Sequence, residues 1–442
     1  MFFNAIYYMP RSDEFVYQPA GDLTHLMTGK LDGSPPRTLF VSPRPMILYS
    51  ISPDATRVRF AEHYKLWECR LDGSGMHRIV PDRIGSYGHW TPDGKLYAFL
   101  TEDANGNNLI WAITETRIGG HVIATRSSQL TAGPVPFTWF TPSKDGKQIF
   151  AMGETMRGEL NRYDPASGEF RPFLNGFSAG EVNYSRDGQW IAYITHPDGA
   201  VWRSRADGSD PQQLTYPDGA TLGRVGAALN PQWSPDGRFI VYAEMGLYSR
   251  KILLLPVDGG SPLLLASGEF RPADPTWSPD GKSIAYGGAG GAGKSTDIRV
   301  LKLETRQSQT IAGSESLFSP RWSPDGNYIA AVSEDSLRLL LYNFAAGSWT
   351  QLALPDMSKS ATVGWPSWSH DGRYLYAMIG EGIYRIRVPD GKPELVVTTA
   401  GLDARSPATG WDGGFWLTPD DRILIMRDRG VDELYALDLE YR

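Results

Sequence analysis

Short apolar runs rich in Val, Ile, Leu, Tyr and Phe recur along the whole chain, separated by clusters of Pro, Asp, Gly and Ser. The stretch from Pro231 to Ala266 shows the pattern. Pro231-Gln-Trp233 ends one apolar run, and Ser234-Pro-Asp-Gly237 is a turn, with Pro fixing φ near −65° and Gly accepting positive φ. Phe239–Ala243 and Lys251–Val257 follow as β-branched and aromatic runs, and Asp258-Gly-Gly260 turns the chain into Pro262–Ala266. The pattern predicts four short strands joined by tight turns. No segment with a helical period longer than about ten residues interrupts it.

The unit repeats. Trp-Ser-Pro-Asp-Gly stands at 233–237, 277–281 and 322–326, with weaker copies around Trp90, Tyr184 and Trp368 and weaker ones still near Ile51, Ser143 and Leu417. The matching acids are Asp54, Asp93, Asp145, Asp187, Asp236, Asp280, Asp325, Asp371 and Asp420, spaced 39 to 52 residues apart, and a degenerate copy sits at Pro10–Asp13. A four-stranded unit repeated at this period predicts an all-β fold, a single large β-propeller of four-stranded blades. Nine or ten units are legible, and a ring of eight is within reach if some are degenerate. A pair of smaller rings is the alternative, but no linker separates the units, so one domain over residues 1–442 is expected. The last unit stops after Glu433–Leu439 without a fourth strand, and Met1–Tyr8 is the natural strand to complete it. Trp233, Trp277 and Trp322 share one phase and are expected between blades.

Composition narrows the function classes. The net charge of −7 argues against a general nucleic-acid surface. Cys69 is the one cysteine, which excludes an internal disulfide and a cysteine-based zinc cluster. No run of 18 apolar residues predicts a membrane span, and the apolar start lacks the basic residues of a signal peptide, which favours a cytoplasmic location. No cofactor and no metal site is expected. Gly288–Ser295 matches the phosphate-loop pattern, but a strand-like run follows where a helix is required. Gly176-Phe-Ser178-Ala-Gly180 matches a nucleophile elbow with the same defect. Asp103, Asn105 and Asn107 start like a calcium loop, yet positions six and twelve are Asn108 and Thr114.

Repeat phase supplies the best candidate site. Six residues before each repeat Asp stand Leu48, Tyr87, Trp139, Glu181, Asn230, Asp274, Ser319, Trp365 and Gly414. The start of an innermost strand opens onto the channel of a propeller, and this position varies in chemistry where the tryptophans do not. Tyr87, Trp139 and Trp365 offer faces for stacking. Asn230, Arg271 and His89 offer hydrogen bonds, and Glu181 and Asp274 are the candidate acid and base should the site be catalytic. Unconstrained variation at a channel mouth explains the same pattern equally well.

The repeat Trp-Ser-Pro-Asp-Gly-(Lys/Arg)-x-Ile-Ala-Tyr, closed by Asp-Gly and Leu-Thr as in Arg205–Gly208 and Gln213–Thr215, resembles that of TolB-type propellers. Phrases such as Gln129–Pro134, Pro142–Lys147, Arg157–Leu160 and Val201–Arg205 are similar to the C-terminal propeller of acidobacterial winged-helix regulators. The resemblance implies a non-catalytic sensor or scaffold module that binds a protein or a small polar ligand such as a glycan. It carries over no catalytic residue. The alternative is a carbohydrate-active enzyme, a glycoside hydrolase or polysaccharide lyase, with its site at the channel mouth.

Overall fold

A computed structural model describes residues 6–9, 12–19, 22–62, 65–80, 85–102, 107–118, 121–133, 135–155, 157–196, 198–216, 227–245, 250–268, 270–288, 296–356, 361–402, 404 and 414–440. The chain is all-β. Among the described residues it forms ten antiparallel sheets, nine of four strands and one of three, and the sole helical element is a 3-10 turn at Leu174–Gly176. It divides into two compact units, one of Met1–Thr155 with Val431–Arg442, the other of Met156–Asp218 with Arg224–Gly430.

The repeated motif is explained by side-chain hydrogen bonds in the turn. Ser234 Oγ donates to Asp236 at 2.6 Å and accepts the Phe239 N–H at 2.9 Å, while Asp236 accepts the Arg238 N–H at 3.1 Å. Gly237 closes the turn at φ 72°. The same hydroxyl-to-Asp bond recurs at Ser52, Thr91, Ser143, Ser185, Ser278, Ser323, Ser369 and Thr418. Where Gly is missing, Ala55 and Asp421 take the left-handed conformation at φ 54° and 58°.

The second unit is a closed ring of six sheets. Five run in chain order, with inner strands Ala179–Tyr184, Ala228–Trp233, Pro272–Trp277, Leu317–Trp322 and Val363–Trp368. The sixth combines Phe415–Leu417 and Ile423–Asp428 with Gly158–Asp164 and Glu169–Pro172, pairing Gly158 with Asp428. Each inner strand touches the next, and Phe415–Leu417 touches Ala179–Tyr184. Joining the two ends of the unit in one sheet leaves no open seam. Apolar clusters fill the seams, such as Ile240, Tyr242 and Leu255 with Val201 and Ile194. Trp233 and Trp277 are buried as expected, and Trp322 is half-buried on the Phe344 ring at 5.3 Å. Indole and backbone donors stitch sheet to sheet: Trp277 Nε1 to the Gln232 carbonyl at 3.1 Å, Trp368 Nε1 to the Arg321 carbonyl at 2.9 Å, and the Trp233 N–H to Asn183 Oδ1 at 2.8 Å.

The first unit stacks four sheets in chain order. Two of its seams are filled by apolar clusters around Phe60 and around Phe140. The one between them also holds a buried ionic cluster. Arg59 bonds Glu68 and Glu115 at 2.7 and 2.5 Å and lies 3.9 Å from the Trp90 ring centre. Here the expectation that the N-terminal strand completes the last blade is corrected. Ile6–Tyr8 pairs with Glu14–Tyr17 in the first sheet, and Val431–Asp438 pairs with Gln148–Thr155 in the fourth. Local antiparallel pairing satisfies the first strand without a long-range partner.

Candidate functional site

The position six residues before the repeat Asp does repeat, but in its backbone. Tyr87, Glu181, Asn230, Asp274, Ser319 and Trp365 all adopt left-handed φ, between 44° and 54°. In the ring each begins a bulge. Gly180 pairs with Ile194 and Asn183 with Ala192, so Glu181 and Val182 together oppose Tyr193. The same slip occurs between Leu229 and Gln232, Ala273 and Thr276, Phe318 and Arg321, and Gly364 and Ser367. Side chains disfavour this conformation by about 1–2 kcal/mol. Five successive inner strands therefore hold a strained residue at one level of one channel.

The channel is a cavity of about 630 Å³. Glu181, Asn230 and Trp365 line it, with Asn183, Gln232 and Arg321 one step further in. These polar groups are linked. The Asn230 N–H donates to the Glu181 carboxylate, Gln232 Nε2 donates to Asn230 Oδ1 at 3.1 Å, and Asn230 Nδ2 donates to the Pro275 carbonyl at 3.3 Å. Burial pushes the Glu181 carboxyl up to about 7, and the charge of Asp274 adds to that rise. The Asn230 N–H and the charges of Arg321 and Arg250 act in the opposite sense. Burial also lowers the pKa of Arg321 and of Arg250, opposed in both by Asp274 and Glu181. The mouth is thus a mixed-charge cluster.

Of the candidates read from the sequence, Glu181, Asn230, Arg271, Asp274 and Trp365 belong to the ring. Tyr87, His89 and Trp139 belong to the four-sheet unit. There Tyr87, His89 and Phe140 pack edge-on with centroids 5.3 to 6.0 Å apart, and burial lowers His89 to about 4, so the imidazole is neutral at pH 7. Trp139 is 38% exposed. Ser178 accepts the Gly158 N–H at 2.9 Å and leads into a strand, so the elbow lacks its helix. Residues 289–295 of the phosphate-loop match and Asp103 and Asn105 of the calcium-loop match lie outside the described residues. Among the described residues no cluster of metal-ligating side chains occurs. Arg250 was missed by repeat phase, because it opens a third strand, away from the inner-strand register that the phase tracks.

No family model matches the chain. Over 186 residues it is 28% identical to an uncharacterized protein of Agrobacterium fabrum, a stretch that is 39% of this chain and 57% of that relative. The chain therefore spans little more than half the length of the relative it matches. Among solved structures it is similar to a putative TolB from Agrobacterium tumefaciens, at 19% identity and a TM-score of 0.47, covering 62% of this chain and 99% of that one. It is also similar to TolB from Acinetobacter baumannii, at 15% identity and a TM-score of 0.41, covering 77% and 82%. No helix among the described residues is long and apolar enough to cross a membrane.

Proposed function

We propose that the six-sheet ring is a non-catalytic binding module, a sensor or scaffold whose channel mouth receives a polar ligand or a polar segment of a partner protein. One observation carries this reading. Five consecutive sheets repeat a strained bulge at one level, at Glu181, Asn230, Asp274, Ser319 and Trp365, and three of these, Glu181, Asn230 and Trp365, line the cavity with different chemistry. Strain of this kind persists where the surroundings impose it, and it clusters at binding sites. Flat aromatic area at Trp365 and fixed polar groups at Asn230 and Gln232 suit orientation of a bound group. The test is thermal shift of wild type and Trp365→Ala against short peptides and neutral and acidic oligosaccharides. The reading expects at least one to raise the wild-type melting temperature and to lose that effect in the variant. Equal responses from both proteins would move the site elsewhere.

A second reading, a carbohydrate-active enzyme, is supported by the Glu181 carboxyl at about 7 with the Asp274 charge near it. It expects glycan cleavage that Glu181→Gln abolishes. Wild type that cleaves neither neutral nor acidic glycans contradicts it.

A further inference from the structure

Among the described residues, the guanidinium groups at the seam of the second and third ring sheets lack a hydrogen-bonded or ion-pair partner. Arg250 opens the strand Arg250–Pro256, and Arg271 directly precedes Pro272–Trp277 at φ 52°. Nε of each is buried and without a hydrogen-bond partner. Among the described residues neither guanidinium donates a hydrogen bond or enters an ion pair within 4 Å. Arg321 lines the cavity, and among the described residues its guanidinium donates only to the neighbouring Pro320 carbonyl, at 2.8 Å. The charge of Arg271 works against that of Arg250, so the two are held near each other. Buried cations are normally paired, and a protein that leaves two like charges together loses stability unless something else meets them.

We infer that Arg250, Arg271 and Arg321 form a site for the carboxylate of a ligand that carries hydroxyl or amine donors beside it. The assignment rests on the reading of the ring as a binding module. Three guanidiniums outnumber the two carboxyl groups of Glu181 and Asp274, and the positive excess suits a monoanion. A planar carboxylate matches the forked donors of arginine in a bidentate pair. Glu181 and Asp274 accept from donors on adjoining atoms of the same ligand, and they oppose a more highly charged anion such as a phosphate dianion. That chemistry is met by a uronic acid and by the C-terminus of a peptide.

The test is calorimetric titration of the full chain with three probes: D-glucuronate, N-acetylglycine and inorganic phosphate. At least one carboxylate is expected to bind wild type, with binding weakened tenfold or more in Arg271→Gln and in Arg250→Gln. Which carboxylate binds tells the sugar source from the peptide source. Arg271→Lys, which keeps the charge and loses the fork, is expected to fall between. Because neither guanidinium bonds another of the described residues, the Gln variants are expected to melt without ligand at or above the wild-type temperature. No carboxylate binding to wild type, equal binding to wild type and the Gln variants, or phosphate binding more tightly than both carboxylates overturns the assignment. A ligand lost in Trp365→Ala and unaffected in the Arg variants would sink this inference and leave the binding module standing.

Discussion

Glu181 is where the chemistry of a single side chain depends most on the ring. Its carboxyl is raised from an ordinary 4.5 to about 7, chiefly because burial penalises the charged form. A carboxyl whose folded pKa lies above its unfolded value binds more protons in the native state between those values. Stability from this group is therefore fully present below pH 4.5 and falls as pH rises toward 7, by up to about 3 kcal/mol. Glu181→Gln removes the dependence. Thermal melts of wild type and variant should diverge between pH 4.5 and 7, wild type losing ground; parallel curves would contradict the assignment. This residue was legible as a candidate because repeat phase marks the channel level. Its environment was only partly so, because Arg250 acts on it from a third strand, outside the register that the phase tracks.

At the scale of the element, two devices repeat and only one could be read. The Ser-Pro-Asp-Gly turn shows in the sequence because its hydrogen bonds need a hydroxyl and a carboxylate at fixed positions. Ser234→Ala should lose the bonds to Asp236 and Phe239 and lower stability by about 1–2 kcal/mol in urea melts. The bulge six residues earlier is a backbone conformation shared by Glu, Asn, Asp, Ser and Trp, so side-chain identity conceals it. Relief of strain offers a check. Ser319 is buried at φ 54°, and Ser319→Gly should raise stability by up to about 1 kcal/mol where most core substitutions lower it. A loss in the same urea melt would mean that the hydroxyl outweighs the strain. Trp233 and Trp277 were read correctly from their phase, and Trp277→Ala should cost about 3–5 kcal/mol through lost packing and the lost bond to Gln232.

At the scale of the molecule, the count of units was legible and the closure was not. Strands that alternate alike do not say which edges meet, and the ring closes by joining Gly158–Asp164 to Ile423–Asp428 across most of the chain. Residues 157–430 contain every sheet of that ring. A fragment with those limits should show a β-type circular dichroism spectrum and a single cooperative melt. A fragment ending before residue 414 should lose that melt, since the closing sheet is then left with only its two outer strands. The central claim is that the ring binds a ligand at the level of its bulges. The measurement that reaches it most directly is a crystal structure of the full chain grown with D-glucuronate or N-acetylglycine. The account predicts a carboxylate held by Arg250 and Arg271, with the rest of the molecule beside Trp365 and Asn230. An empty channel with the ligand seated elsewhere on the protein would contradict it.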